Sequence, residues 1–145
     1  PGQRVVLMLL HSDLPWRALR REMLGDTYPD KATPGSIRRN LLEQRAALNL
    51  SRVDITSNFV HLSAGPFEGA GELVNFFRGL ESASFNLEES RMAAYWREAG
   101  LKLPHLAALL EGEPWTPGGV PQDLFGATEE LDARSAAFYV AQREG

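Results

Sequence analysis

Arg4-Val5-Val6-Leu7-Met8-Leu9-Leu10 is the stretch on which the fold turns. Its apolar run shows no polar alternation, and so short a run reads as a central strand buried on both faces. It is far short of the roughly 20 residues that cross a bilayer, and no basic stretch precedes it as in a signal peptide. No membrane partner and a cytoplasmic location are therefore expected. The chain opens on Pro1-Gly2-Gln3 with no initiator methionine, which reads as a fragment of a longer chain.

Working outward, Ser12 or Asp13 can cap a helix over 14–24, with Pro15 in its first turn and Gly25 just past its end. Asp26-Thr27-Tyr28-Pro29-Asp30 and Thr33-Pro34-Gly35 are turn chemistry. A short polar-faced helix follows over 40–48, then an extended stretch over 53–56. Asn58-Phe59-Val60-His61-Leu62 alternates and reads as a short strand with His61 near its end. Gly65-Pro66 opens a helix whose stripe is Phe67, Ala70, Val74 and Phe77, with Leu73 and Phe76, and Glu72 lies off its centre.

Beyond Gly79 the pattern is helical. Asn86 can cap a helix over 87–99, Pro104 opens one over 104–110, and Gly100 and Gly112 stop them. Residues 114–121 are a loop, and Thr128 can cap a last helix to about Gln142. Tyr95, Trp96, Phe138 and Tyr139 read as core of these helices. The expectation is an α+β core over 1–79 and a helical extension over 80–145.

Composition limits the function classes. The chain has 145 residues, 43% of them hydrophobic, no cysteine, and a net charge of -4. That excludes a disulfide framework or thiolate metal site, and argues against a nucleic-acid partner, which would need uncompensated Lys and Arg. The histidines at 11, 61 and 105 show no metal-ligand spacing, and neither Glu111 with Glu113 nor Glu129 with Glu130 forms a catalytic acid pair.

Three separated segments carry residues suited to phosphate: Arg21-Glu22-Met23-Leu24-Gly25-Asp26-Thr27-Tyr28-Pro29, then Ala32-Thr33-Pro34-Gly35-Ser36-Ile37-Arg38, then Asn58-Phe59-Val60-His61-Leu62-Ser63. Together with Val5-Val6-Leu7-Met8, Glu72 and Phe77, and in this order, they resemble the nucleoside diphosphate kinase family over about residues 4–79. The resemblance implies a ferredoxin-like antiparallel sheet with helices on one face. Residues 1–79 would be the C-terminal part of that domain, incomplete at its N-terminus. It also implies transfer of a γ-phosphate from nucleoside triphosphate to nucleoside diphosphate through a phosphohistidine, with Mg2+ carried on the nucleotide phosphates, in a homo-oligomer. By the same resemblance His61 is the nucleophile and Ser63 and Glu72 support it. Arg21 and Thr27 hold distal phosphates, Arg38 contacts the transferred group, and Asn58 binds the sugar 3′-hydroxyl.

The chemistry stands beside the resemblance. An imidazole is a competent nucleophile when one ring nitrogen is free and the other donates to a carboxylate that fixes the tautomer, a role open to Glu72. Phosphoryl transfer is catalysed mainly by positioning and cationic donors, so loss of Arg21 or Arg38 is expected to cost rate more than fold. Leu62-Ser63-Ala64 stands where the family reads glycine, serine, aspartate, and the family's phosphate-binding lysine and base-stacking aromatic have no counterpart here. These departures favour the alternative: a catalytically weak or inactive nucleotide-binding or interaction module of the same fold.

Overall fold

A computed structural model describes residues 5–77 and 85–144. Helix α1 (Trp16–Ala18) continues as a π-helical stretch, Leu19–Leu24, in which the Gly25 N–H reaches the Arg20 carbonyl at 3.0 Å. Then come α2 (Ile37–Glu43), α3 (Pro66–Phe77), α4 (Arg91–Glu98), α5 (Leu103–Leu110), α6 (Leu124–Ala127) and α7 (Ala133–Glu144), with 3-10 turns at Leu87–Glu89 and Pro117–Gly119.

The core is where α3, α4, α5 and α7 meet. Trp96 of α4 is fully buried, its ring in edge-to-face contact with Phe67 of α3 at 5.6 Å and 81°. Its indole N–H is satisfied by the Lys102 carbonyl at 2.9 Å. Small residues let the helices close in: Ala93 of α4 and Ala136 and Ala137 of α7 are fully buried where α4 packs on α7. The anticipated stripe of α3 is realised in part. Phe67 and Ala70 are buried and Val74 packs against the core, but Phe76 is left exposed. The core thus draws on residues on both sides of the expected boundary at Gly79, which lies outside the described residues.

The ferredoxin-like antiparallel sheet is overturned: among the described residues there is no sheet, only isolated bridges pairing Asp54 with Ser57 and Trp115 with Gln122. Each expected strand fails for its own reason. Val5 to Leu10 carries apolar side chains that are 47% to 84% exposed, with no partner strand beside them; Arg4 lies outside the described residues. A strand buried on both faces needs neighbours at both edges to satisfy its backbone, and none forms. In the second segment Phe59 sits at φ +62°, a left-handed conformation that breaks an extended run. In the third, Asp54 Oδ1 accepts the Thr56 N–H at 2.9 Å and the Ser57 N–H at 3.1 Å, and this side-chain turn replaces an extended stretch over 53–56.

Helix ends also shift. The helix anticipated over 40–48 lies at Ile37–Glu43, started by Ser36, whose hydroxyl accepts the Arg39 N–H. Asn86 caps only the 3-10 turn, and Ser90 caps α4. Thr128 does not cap α7, because its buried hydroxyl turns back to the Leu124 carbonyl at 2.8 Å and closes α6 instead. Gly25 is required where it stands, since at φ +92° a Cβ would meet the Ser36 side chain and lie 2.9 Å from Ala32 Cβ.

Trp96→Ala should cost about 3–5 kcal/mol of stability, the range for deleting a buried aromatic, read as a lowered urea midpoint. Phe76→Ala, at an exposed site, should change stability by no more than about 0.5 kcal/mol. Equal effects would mean that Trp96 does not organise the core.

Candidate functional site

The segment 63–65 is clamped before α3 begins. The Trp16 indole N–H donates to the Ser63 carbonyl at 2.9 Å, and the Glu130 N–H to the Ala64 carbonyl at 2.9 Å. The approach is so close that a Cβ on Gly65 would lie 2.8 Å from the Thr128 carbonyl oxygen, so only glycine fits. Asp132 completes the junction by accepting the Trp16 N–H at 3.1 Å, which satisfies the start of α1 from the far end of the chain.

With α3 fixed in this way, Phe67, Ala70 and Gly71 face the core, while Glu68 and Glu72, four residues apart, lie half-buried on its flank. Glu72 receives two groups: His61 Nε2 lies 2.6 Å from Oε1, and the Ser63 hydroxyl donates to Oε2 at 2.6 Å. A carboxylate only accepts, so Nε2 carries the proton, and in the neutral ring Nδ1 keeps its lone pair. The His61 side chain is 65% exposed, so Nδ1 belongs to a ring open to solvent. Glu68 reaches back to accept the Ala64 N–H. One donor atom each from His61, Glu68 and Glu72 lies within 4.8 Å of the other two.

The arginines are placed differently. Arg38 is buried, with Nη1 donating to the Gly25 carbonyl and Nη2 to the Val60 carbonyl, both at 3.1 Å. Burial, followed by the charge of Arg20, lowers its pKa, against the opposing pull of Asp26. Arg38 thus fixes the backbone just before His61. Arg21 pairs with Glu130 at 3.1 Å, a hydrogen bond that raises its pKa, and Arg17 reaches the same carboxylate at 3.5 Å. Arg20 pairs with Glu129 at 3.0 Å, while its Nε, like that of Arg38, is buried without a hydrogen-bond partner. Glu130 holds this position at φ +59°.

The structure therefore brings together His61, Ser63 and Glu72, and ties Arg38 and Arg21 to the flanking backbone through Val60 and Glu130. Thr27 is exposed on the loop before α2, and Asn58 donates to the Ile55 carbonyl at 3.4 Å. Among the described residues neither is hydrogen-bonded to His61. Sequence reasoning passed over Glu68, Trp16 and Asp132, and weighed Glu130 only as one of an acid pair with Glu129. The i,i+4 spacing of Glu68 and Glu72 was a usable signal, whereas contacts across more than 100 residues, such as Arg21 to Glu130, had none.

No family model, no curated protein and no solved structure matches the chain. Among the described residues no helix is long and apolar enough to cross a membrane.

Arg38→Met should lower stability by roughly 1.5–3 kcal/mol, the scale of losing charged hydrogen bonds to buried carbonyls. Arg21→Ala, at an exposed and solvent-screened ion pair, should lower stability by less than Arg38→Met does. Chemical denaturation of the two variants checks the order, and a larger loss at Arg21 would reverse this assignment.

Proposed function

We propose that the protein is a phosphotransferase of the nucleoside diphosphate kinase type, with His61 Nδ1 as the group that accepts phosphate. The observation that carries this reading is Glu72, which holds His61 Nε2 on one oxygen and the Ser63 hydroxyl on the other, and so leaves Nδ1 as the open nucleophile.

The step follows from that arrangement. The Nδ1 lone pair attacks the γ-phosphorus, an N–P bond forms, and the bond from phosphorus to the bridging oxygen breaks, its electron pair leaving with the nucleoside diphosphate. The positive charge that develops on the ring is stabilised through Nε2–H by Glu72, which Ser63 keeps oriented. In the second half-reaction a terminal oxygen of another nucleoside diphosphate attacks phosphorus, and the N–P electrons return to Nδ1. Magnesium arrives with the nucleotide and offsets phosphate charge. A donor set that includes an imidazole is a poor match for a resident magnesium, which prefers oxygen ligands. Action as a homo-oligomer in the cytoplasm, without nucleic acid, is part of this reading.

One observation favours a second reading, a nucleotide-binding or interaction module that does not transfer phosphate. Two donors of the buried Arg38 are taken by the Gly25 and Val60 carbonyls and Arg21 is held by Glu130, so a nucleotide must compete with Glu130 before Arg21 can hold a phosphate.

Incubation with γ-labelled ATP and magnesium should give acid-labile, base-stable protein phosphate that nucleoside diphosphate discharges. His61→Gln should abolish the label, and Glu72→Gln should slow its formation on the order of 100-fold, the scale for losing an orienting or proton-holding carboxylate. Absence of label, with nucleotide still raising the melting temperature, would establish the module instead.

A further inference from the structure

We infer that His61, Glu68 and Glu72 form a binding site for a divalent transition metal of the zinc class, with donors His61 Nε2 and one oxygen of each carboxylate. The inference uses residues of the proposed acceptor site but does not depend on phosphate transfer, and Glu68 has no part in that chemistry.

Three features converge. The first is geometric. A first-row metal about 2.0–2.2 Å from each ligand needs donors roughly 3–4.3 Å apart, so the three donors, all within 4.8 Å, need only small shifts, the 2.6 Å His61–Glu72 pair opening to admit the ion. The second is preorganisation. Ser63 holds Glu72 through Oε2, leaving Oε1 toward His61, and the Ala64 N–H holds Glu68 through Oε2. Such outer contacts aim carboxylates at a metal and lower the cost of binding. The third is electrostatic. Glu68 and Glu72 are like charges at i,i+4 on one helix, an arrangement that repels in the absence of a cation.

Ligand type selects the ion. An imidazole nitrogen with two carboxylates suits zinc, cobalt or nickel, whereas magnesium and calcium favour oxygen throughout. Both carboxylates are half-buried and the imidazole is exposed, so water can complete the coordination sphere. The metal takes the place of the proton between Nε2 and Glu72 Oε1, and that proton is released to solvent. An occupied site therefore withdraws the carboxylate from its role in orienting the ring.

The other histidine pair serves as an internal control. His105 Nε2 lies 2.6 Å from Glu144 Oε1 beside a cleft of about 660 Å³, but among the described residues no third ligand joins them.

The test is titration of the full, untagged chain with Co2+ alone, read by visible absorption, followed by competition with Zn2+. One saturable equivalent should appear. His61→Ala and Glu68→Gln should each weaken it at least about tenfold, the loss that removal of even an outer partner causes. His105→Ala should leave it unchanged. Glu68→Gln retains an oxygen that can accept the Ala64 N–H, so an unaltered melting temperature separates ligand loss from misfolding. It should also leave phosphate labelling intact, which distinguishes failure of the metal site from failure of the kinase reading. No saturable binding, or binding that persists in both variants, would overturn the inference.

Discussion

The edge-to-face contact between Phe67 and Trp96 is the constraint from which the rest of the arrangement follows. Both rings are fully buried. Once Phe67 faces inward, the 3.6-residue period of α3 carries Glu68 and Glu72 about 100° and 140° round the helix, onto a flank beside the segment that carries His61 and Ser63. The same residue that fills the core therefore fixes the azimuth of the two carboxylates. A helix free to rotate would present them to water without an imidazole or a hydroxyl in reach.

A second junction sets the distance. Gly65 lets the backbone pass against Thr128, and Glu130 then reaches the Ala64 carbonyl with its N–H and Arg17 and Arg21 with its side chain. The helical second half of the chain is thus a wall of the His61 region. Charge is balanced locally: three arginines of the first helical segment meet two adjacent glutamates, so the cationic face is largely compensated before any ligand arrives. An anionic ligand competes with carboxylates here, whereas none of those arginines pairs with Glu68 or Glu72 among the described residues.

Local signals were legible where chemistry within a few residues decides. Pro66 at the start of α3, Pro104 at the start of α5, and Gly100 and Gly112 past helix ends all stand where their conformational preferences place them. The pairing of His61 with Glu72 follows the same logic, since one segment and the next helix are only 11 residues apart. The strands were not legible. An apolar run such as Val5 to Leu10 states only that these side chains avoid water, and a strand exists only if another segment supplies backbone partners. Phe59 in a left-handed conformation and the turn around Asp54 removed the candidate partners.

Arg38 shows the same division at one residue. Its setting, after Pro34-Gly35-Ser36-Ile37, carries a resemblance that implies a phosphate contact, and the folded chain buries it against two carbonyls 13 and 22 residues away. By itself the sequence determined the helix starts and stops marked by Pro66, Pro104, Gly100 and Gly112, the inward Phe67, Ala70 and Val74 of α3, and the residue types that can hold a proton or a phosphate, because these rest on short-range sterics and side-chain chemistry. Only the tertiary structure decided that there is no sheet among the described residues, that Glu130 takes Arg17 and Arg21, and that Glu68 joins His61 and Glu72. Those outcomes depend on which distant groups the packing of Phe67 on Trp96 brings within a few ångströms, and local preference carries no information about them.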